Sequence, residues 1–456
     1  MQKSSAANPY QLTRETILAP PMGLRQRLRF LGPGFILSAS IVGSGELIAT
    51  TRLGAEAGFV TFWVILVSCL VKVAVQLEFG KQAIYTGEST MEALNKLPGL
   101  RFGKANWTIW SWLFLMIFKL LQVGGIVGGT ALVLNLAFPQ ISVAAWCYVT
   151  AVVVSLLIYQ GNYRPIEKAS VLMVAIFSLV TVISLGALQL TPLQISREEL
   201  LSGLSFHLPA ATVFVALGAF GITGVGGDEI MAYNYWLIEK GYAAYTGPRE
   251  ESIAWQQRAH GWIRVMYVDA LLTMVIYTVV TIAFYLLGAA ILHRQGLLPE
   301  GMELVKTLSR LYTQSLGNWA GAVFLLGAFV VLFSTLFAAL ASWTRLLSDA
   351  FGQIGWLDFK DVKQRSRAIA ILAWCVPLIW ATLFLLLKIP TLMVTIGGVA
   401  TTVILLMIVY AALHFRYRRL PAALQPGAFY DAAFWVSVLA ILLVALYGVF
   451  QLLERM

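Results

Sequence analysis

Gly43-Ser44-Gly45-Glu46 interrupts the first long apolar stretch of the chain, and Gly226-Gly227-Asp228-Glu229 interrupts the sixth in the same way. A glycine-rich break inside a membrane span frees backbone N–H and C=O groups that lipid cannot satisfy. A carboxylate at that depth adds about 3 kcal/mol or more. Two such breaks, about half the chain apart, are the sequence mark of a transporter built from inverted repeats, with its ion or substrate held at the bilayer midplane. Gly45-Glu46-Leu47-Ile48-Ala49 and Asp228-Glu229-Ile230-Met231-Ala232 also match in pattern. An offset of five spans is an odd number of crossings, so the second copy is predicted to run with opposite topology.

The composition agrees. Hydrophobic residues make up 59% of 456 positions and charged residues 12%, far from the balance of a soluble domain. Apolar runs near the length of about 20 residues needed to cross roughly 30 Å of hydrocarbon recur throughout. Eleven are read: 35–57, 59–80, 107–137, 143–159, 168–190, 209–238, 262–292, 318–347, 368–388, 391–413 and 433–452. The organisation expected is a cytoplasmic segment 1–30, a first five-span repeat 31–190, a second 191–415, and an eleventh span with an external C-terminus 416–456. The first 30 residues lack the charged start, short apolar core and cleavage site of a signal peptide, so the first span is expected to stay.

The net charge of +10 does not point to nucleic acid, because the cations are distributed by side. Connections on the side of the N-terminus hold Lys3, Arg25, Arg27, Arg29, Lys96, Arg101, Lys104, Lys360, Lys363, Arg365, Arg416, Arg418 and Arg419, among others. The opposite side holds Arg52, Arg197, Arg294, Lys306, Arg310, Lys388 and Arg455. The positive-inside rule then predicts a plasma-membrane protein with a cytoplasmic N-terminus and an external C-terminus. Its partners are the lipid bilayer and a transported ion; no nucleic acid and no obligatory protein partner is implied.

Glycines in spans often only let helices pack closely. That reading fits Gly124-Gly125-Ile126-Val127-Gly128-Gly129, where no charge accompanies them. At the two breaks the adjacent carboxylates favour function instead, with Glu46, Asp228 and Glu229 as the charged candidates. Lys72, Glu78, Lys119 and Asp269 are read as span-end groups, snorkelling or ion-paired, outside the permeation path. Cys69, Cys147 and Cys375 lie in apolar runs without paired spacing and read as small buried hydrophobes. The four histidines, His207, His260, His293 and His414, fall at span ends or in loops. An acidic site with freed carbonyls and no sulfur or imidazole at either break suits a hard cation such as Mg²⁺, Ca²⁺ or Mn²⁺.

Gly32-Pro33-Gly34-Phe35 before a broken first span resembles the Nramp family of divalent metal transporters. So do Gly129-Thr130-Ala131-Leu132-Val133-Leu134-Asn135 in the third span and Ser334-Thr335 in the eighth. The resemblance covers spans one to ten and implies an all-α membrane fold of the leucine-transporter type, with a metal site between broken spans one and six. In ordinary members the first break reads Asp-Pro-Gly-Asn; here Gly43 stands at the aspartate and Glu46 at the asparagine. The sixth-span Ala-x-x-Met-Pro-His aligns with Ile222-Thr223-Gly224-Val225-Gly226-Gly227, so Val225 or a neighbouring glycine replaces the Met and Gly227 the His. The family's third-span Asp and Glu, associated with proton movement, fall on Val123 and Ile126, and a tenth-span glutamine gives way around Gly397-Gly398.

These departures resemble the Nramp-related magnesium transporter branch. Mg²⁺ is small and sheds water reluctantly, and one or two carboxylates usually hold it with several waters retained. The glycines Gly43, Gly45, Gly226, Gly227, Gly397 and Gly398 are expected to leave room for such a hydrated ion. Glu46 then touches the ion or its waters, Asp228 or Glu229 supplies the second charge, and Ser44 and Thr223 offer neutral oxygens. Mg²⁺ or Mn²⁺ is thus a transported substrate, and no cofactor is expected. The loss of the proton-associated positions predicts uncoupled transport by alternating access. The alternative is an amino-acid or other organic-substrate carrier of the same fold, which Glu46 would disfavour by repelling a carboxylate. An intramembrane enzyme would need a nucleophile–base pair or a His/Asp ligand set, and neither is visible.

Overall fold

The computed structural model describes residues 8–43, 45–159 and 164–453; Ser44, Lys3 and Arg455 lie outside them. The first predicted span forms as α1 (Pro33–Ile41), a π-helical turn Gly45–Thr50 and α2 (Thr51–Ala57). The second to fifth form as α3 (Phe62–Thr86), α4 (Trp107–Ala137), α5 (Val143–Tyr159) and α6 (Arg164–Leu188). The sixth is split into α7 (Val213–Ile222) and α8 (Gly227–Lys240). Then come α9 (Ile253–Leu287), a shorter α10 (Leu304–Leu316), α11 (Ala320–Ile354), α12 (Val362–Leu387), α13 (Pro390–His414) and α14 (Ala428–Leu453). A two-residue β-hairpin, Arg101–Phe102 against Ala105–Asn106, precedes α4.

Among the described residues, eight helical segments are long and apolar enough to cross a membrane: those around α3, α4, α7–α8, α9, α11, α12, α13 and α14. Val143–Tyr159 and Val174–Leu188 are shorter apolar helices. Ends follow ordinary chemistry. Asn106 accepts from Thr108 N and caps α4, Pro390 opens α13 at its first turn, and Gly87, Gly241 and Gly355 close α3, α8 and α11.

Burial separates an inner bundle from an outer pair. Only 33% of the apolar window of α12 and 28% of that of α14 is buried, against 72% or more in the other six, so α12 and α14 present their apolar faces outward. Cys375, on α12, is exposed, whereas Cys69 and Cys147 are buried as expected of small hydrophobes. The inner helices meet through glycine. A side chain at Gly398 would overlap the Gly218 carbonyl, one at Gly221 the Gly398 carbonyl, and one at Gly397 the Gln122 side chain. The pair Gly397-Gly398 therefore draws α13 against α4 and α7, rather than opening space as the sequence suggested. Gly125 and Gly128 of α4 do the same against Pro390 and the Phe384 ring.

Asp269 is also placed differently from its sequence reading. It sits within α9 and accepts from Gly32 N at 3.0 Å and Gly34 N at 2.5 Å, capping the start of α1 from another helix. Tyr233 of α8 donates to the same carboxylate at 3.1 Å. The N–H groups that α1 leaves unpaired, because Pro33 and Gly34 have no capping side chain of their own, are thus satisfied across the bundle. Glu78 is ion-paired as anticipated, 2.6 Å from Lys81 and 3.6 Å from Arg416.

Candidate functional site between the broken helices

The first break is a widened turn. Val42 N and Gly43 N donate to Ser38 O and Ile41 O, and α1 ends there. In the π turn that follows, Thr50 and Thr51 hydroxyls donate to Gly45 O at 3.1 Å and Glu46 O at 3.3 Å. Threonines placed five residues on take up carbonyls that the wide turn would otherwise expose to an apolar interior. Glu46 is fully buried: Oε2 accepts from Gly43 N at 3.3 Å and Oε1 from the Thr281 hydroxyl of α9 at 3.1 Å. Gly43 is buried with it, and Ser44 lies outside the described residues.

The second break is held by α3. After Ile222 the chain turns through extended Thr223 and left-handed Gly224 (φ 61°) before α8 begins at Gly227. Lys72 Nζ donates to Phe220 O at 2.7 Å and Thr223 O at 2.5 Å, and Ser68 Oγ reaches both carbonyls at 3.0 Å. The Ser68 and Thr223 hydroxyls are 2.7 Å apart. A buried ammonium at the C-terminal end of α7 matches the negative end of its dipole. Lys72 is therefore a cap for the broken helix, neither snorkelling nor at a span end. The carbonyls counted on as ligands, and the Thr223 hydroxyl, already have protein partners.

The two breaks approach each other: a Cβ at Gly45 would stand 3.0 Å from Ile222 O. Beside them lies a small cavity, with about 30 Å³ of space open to a water-sized solute, lined by Ile41, Gly45, Lys119, Gln122, Val123, Ile126, Ile222, Asp228, Glu229, Thr335, Ala339, Ser342 and Trp343. Of the residues expected at the site, Gly45, Asp228 and Glu229 line it; Gly43, Glu46, Thr223, Gly226 and Gly227 do not. Gly227 packs on Ile404 and Ile408, while Gly226 leaves room for the Glu229 carboxylate, which folds back to 2.5 Å from where a Cβ would be.

Lys119 is the residue that sequence reasoning placed elsewhere. It is 3% exposed, lines the cavity, and puts its ammonium 3.0 Å from Asp228 Oδ2. The same ammonium donates to Gln122 Oε1 at 2.5 Å and Thr401 Oγ1 at 2.6 Å. The signal that could have found it is its spacing: Lys119, Val123 and Ile126 fall at intervals of four and three, on one face of α4. Asp228 Oδ1 is buried with no hydrogen-bond partner among the described residues. No group of three or more His, Cys, Asp or Glu side chains positioned to hold a metal ion occurs among the described residues. The arrangement offers two carboxylates, neutral oxygens from Gln122, Thr335 and Ser342, and one tethered cation.

Residues 34–451 match the family described as Natural resistance-associated macrophage protein-like, Nramp. The chain belongs to the Nramp family. It is accordingly a membrane transporter and not an enzyme. It is 25% identical over 312 residues to the divalent metal cation transporter MntH of Caldanaerobacter subterraneus, covering 67% of this chain and 68% of that protein. In fold it is similar to the Eremococcus coleocola manganese transporter, with a TM-score of 0.62 at 16% identity over 97% of this chain and 91% of that one. Mhp1, a nucleobase-cation-symport-1 family transporter, aligns with a TM-score of 0.56 at 15% identity over 93% of each chain. The architecture is thus the leucine-transporter type that the resemblance implied, with helices one and six broken at the two glycine–acid motifs.

Proposed function

We propose that this Nramp-family chain carries divalent metal cations, Mg²⁺ and also Mn²⁺, into the cytoplasm by alternating access and without a coupled proton. The observation that carries the reading is Asp228 Oδ1, a buried carboxylate oxygen with no partner among the described residues, on a residue lining the cavity between the breaks. An unpaired buried acceptor is costly unless something else completes it. Asp228 and Glu229 lie in the first turn of α8, and no Met, Cys or His is among the described residues lining the cavity. Hard oxygen donors of this kind suit Mg²⁺ and Mn²⁺. Relatives named as divalent metal cation and manganese transporters favour the same class of cargo.

With only two carboxylates available, the ion would keep part of its water shell, as Mg²⁺ commonly does. Gln122, Thr335 and Ser342 can hydrogen-bond such waters. Glu46 then acts at one remove, by pinning the Gly43 turn to Thr281. Val123 and Ile126 leave the family's two proton-associated positions without a titratable group, which supports uncoupled flux. A divalent cation gains about 4.6 kcal/mol per 100 mV, twice the single-charge value, enough to drive uptake alone. The N-terminus is assigned to the cytoplasm and the C-terminus to the outside from the cation distribution. An organic-acid or amino-acid carrier would want a free cation for the substrate carboxylate, and Lys119 is engaged by Asp228.

The test is uptake of Mg²⁺, Mn²⁺ and Ca²⁺ into proteoliposomes at a set potential, with an internal pH dye. Mg²⁺ and Mn²⁺ entry without acidification is expected. Flux of neither ion would overturn the assignment of cargo, and proton entry scaling with metal flux would overturn the uncoupled part.

A further inference from the structure

We propose that the Lys119 ammonium is a built-in stand-in for the transported ion, neutralising Asp228 in the empty carrier and giving way when a divalent cation binds. The inference deepens the transport reading above and rests on it. The ammonium has three donors, and three oxygens meet them: Asp228 Oδ2 on α8, Gln122 Oε1 one turn along α4, and Thr401 Oγ1 on α13. Two of these are neutral. Thr401 spends its own proton on Gly397 O at 2.9 Å, which leaves its lone pairs to Lys119. Once Asp228 is released, the ammonium still has two acceptors within reach and need not leave the site.

Asp228 is open to the exchange. One oxygen is held by Lys119 and the other has no partner among the described residues, so an arriving ion can engage Oδ1 before the ammonium lets go of Oδ2. The pair is 3% and 6% exposed at its side chains, so neither charge is well solvated. Stripping one partner from a buried ion pair leaves an uncompensated charge, a strongly unfavourable state. In net uptake the carrier must return empty, and without Lys119 it would return with a bare buried Asp228. In metal-for-metal exchange the site is loaded on every crossing, so the stand-in is not called upon. The ammonium also competes with the ion for one carboxylate, and by linkage its removal must strengthen ion binding.

The test uses the full chain in proteoliposomes with labelled Mn²⁺. Net uptake into metal-free vesicles is compared with exchange into vesicles preloaded with Mn²⁺, for wild type, Lys119→Gln and Lys119→Arg. For Lys119→Gln the ratio of net uptake to exchange is expected to fall by about tenfold and the half-saturation concentration to drop, with Lys119→Arg keeping a ratio near wild type. A wild-type ratio in folded Lys119→Gln overturns the proposal. If Lys119→Gln does not fold, Thr401→Val removes one parking seat without touching the Asp228 pair. Its half-saturation concentration should rise about threefold or more, and an unchanged value in the folded variant overturns the proposal equally. Absence of wild-type Mn²⁺ and Mg²⁺ flux in both assays is a different failure, that of the cargo assignment.

Discussion

Lys119 Nζ lies 3.0 Å from Asp228 Oδ2, so a carboxylate at the sixth-span break is met by a cation from the third span. This pairing changes the electrostatic character of the cavity. Two acids and one base face it, so a divalent ion bound there would compete with a tethered monovalent one. The pairing also explains how the fold tolerates Asp228 when no ion is present.

Asp228→Asn is expected to cut Mg²⁺ and Mn²⁺ uptake by at least about tenfold, because it removes the carboxylate with the unpartnered oxygen. It also strands Lys119, so a stability loss of about 3–5 kcal/mol should accompany it. Uptake normalised to folded protein, with thermal melting in detergent alongside, separates the two. The double variant Asp228→Asn, Lys119→Met should recover stability without recovering transport.

Glu46→Gln is expected to act on rate rather than on ion affinity. Its carboxylate bonds Gly43 N and the Thr281 hydroxyl, and the residue does not line the cavity. A half-saturation concentration within about threefold of wild type, about 0.7 kcal/mol, is predicted together with a lower maximal flux. A large rise in half-saturation would instead place Glu46 on the ion.

Lys72→Met should destabilise the sixth-span break. It leaves the Phe220 and Thr223 carbonyls to Ser68 alone, at a cost of about 1–3 kcal/mol for under-satisfied buried groups. Ser68→Ala on top of it should cost more than the two single changes added together, since each now backs up the other. Melting temperatures of the two single variants and the double variant provide the check.

Gly398→Ala and Gly221→Ala should yield little folded protein, because each new methyl overlaps a backbone carbonyl of the facing helix. Backbone has no rotamer with which to move aside, so the helices must separate. Gly427→Ala, where nothing lies within 4 Å, is the matched control and should be neutral. Size-exclusion profiles of the three variants decide it.

Arg294 reaches Glu199 at 2.6 Å. Partial burial pushes the Glu199 carboxyl up, but the Arg294 hydrogen bond and the Ser196 cap outweigh it and hold it below the usual carboxylate range. A depressed folded-state value stabilises above the ordinary value of 4.5 and loses that contribution as pH falls through the lowered one. The pair is solvent-screened, so Arg294→Gln should cost no more than about 0.5 kcal/mol at pH 7 and less in acid. Melting curves of wild type and variant across pH 3–7 would show the gap close.

The fold was legible because its determinants are local. Membrane thickness sets the length of an apolar run, and lipid cannot satisfy a broken backbone, so the interruptions at Gly43–Glu46 and Gly226–Glu229 had to be sheltered inside a bundle wherever the helices went. The acids at the sixth break, Asp228 and Glu229, were readable as cavity residues for the same reason. What only the tertiary structure decided is which groups meet across elements far apart in sequence. Glycine reads identically whether it makes room for an ion or for another helix, and Gly397 and Gly398 proved to serve packing because α4 and α7 press on them. A lysine near mid-span reads as a snorkelling group until the rotation of its helix is known. Lys72 and Lys119 point inward because carbonyls of a broken helix and a buried carboxylate lie within their reach. That partnership depends on how α3 and α4 pack against α7 and α8, and no single segment encodes it.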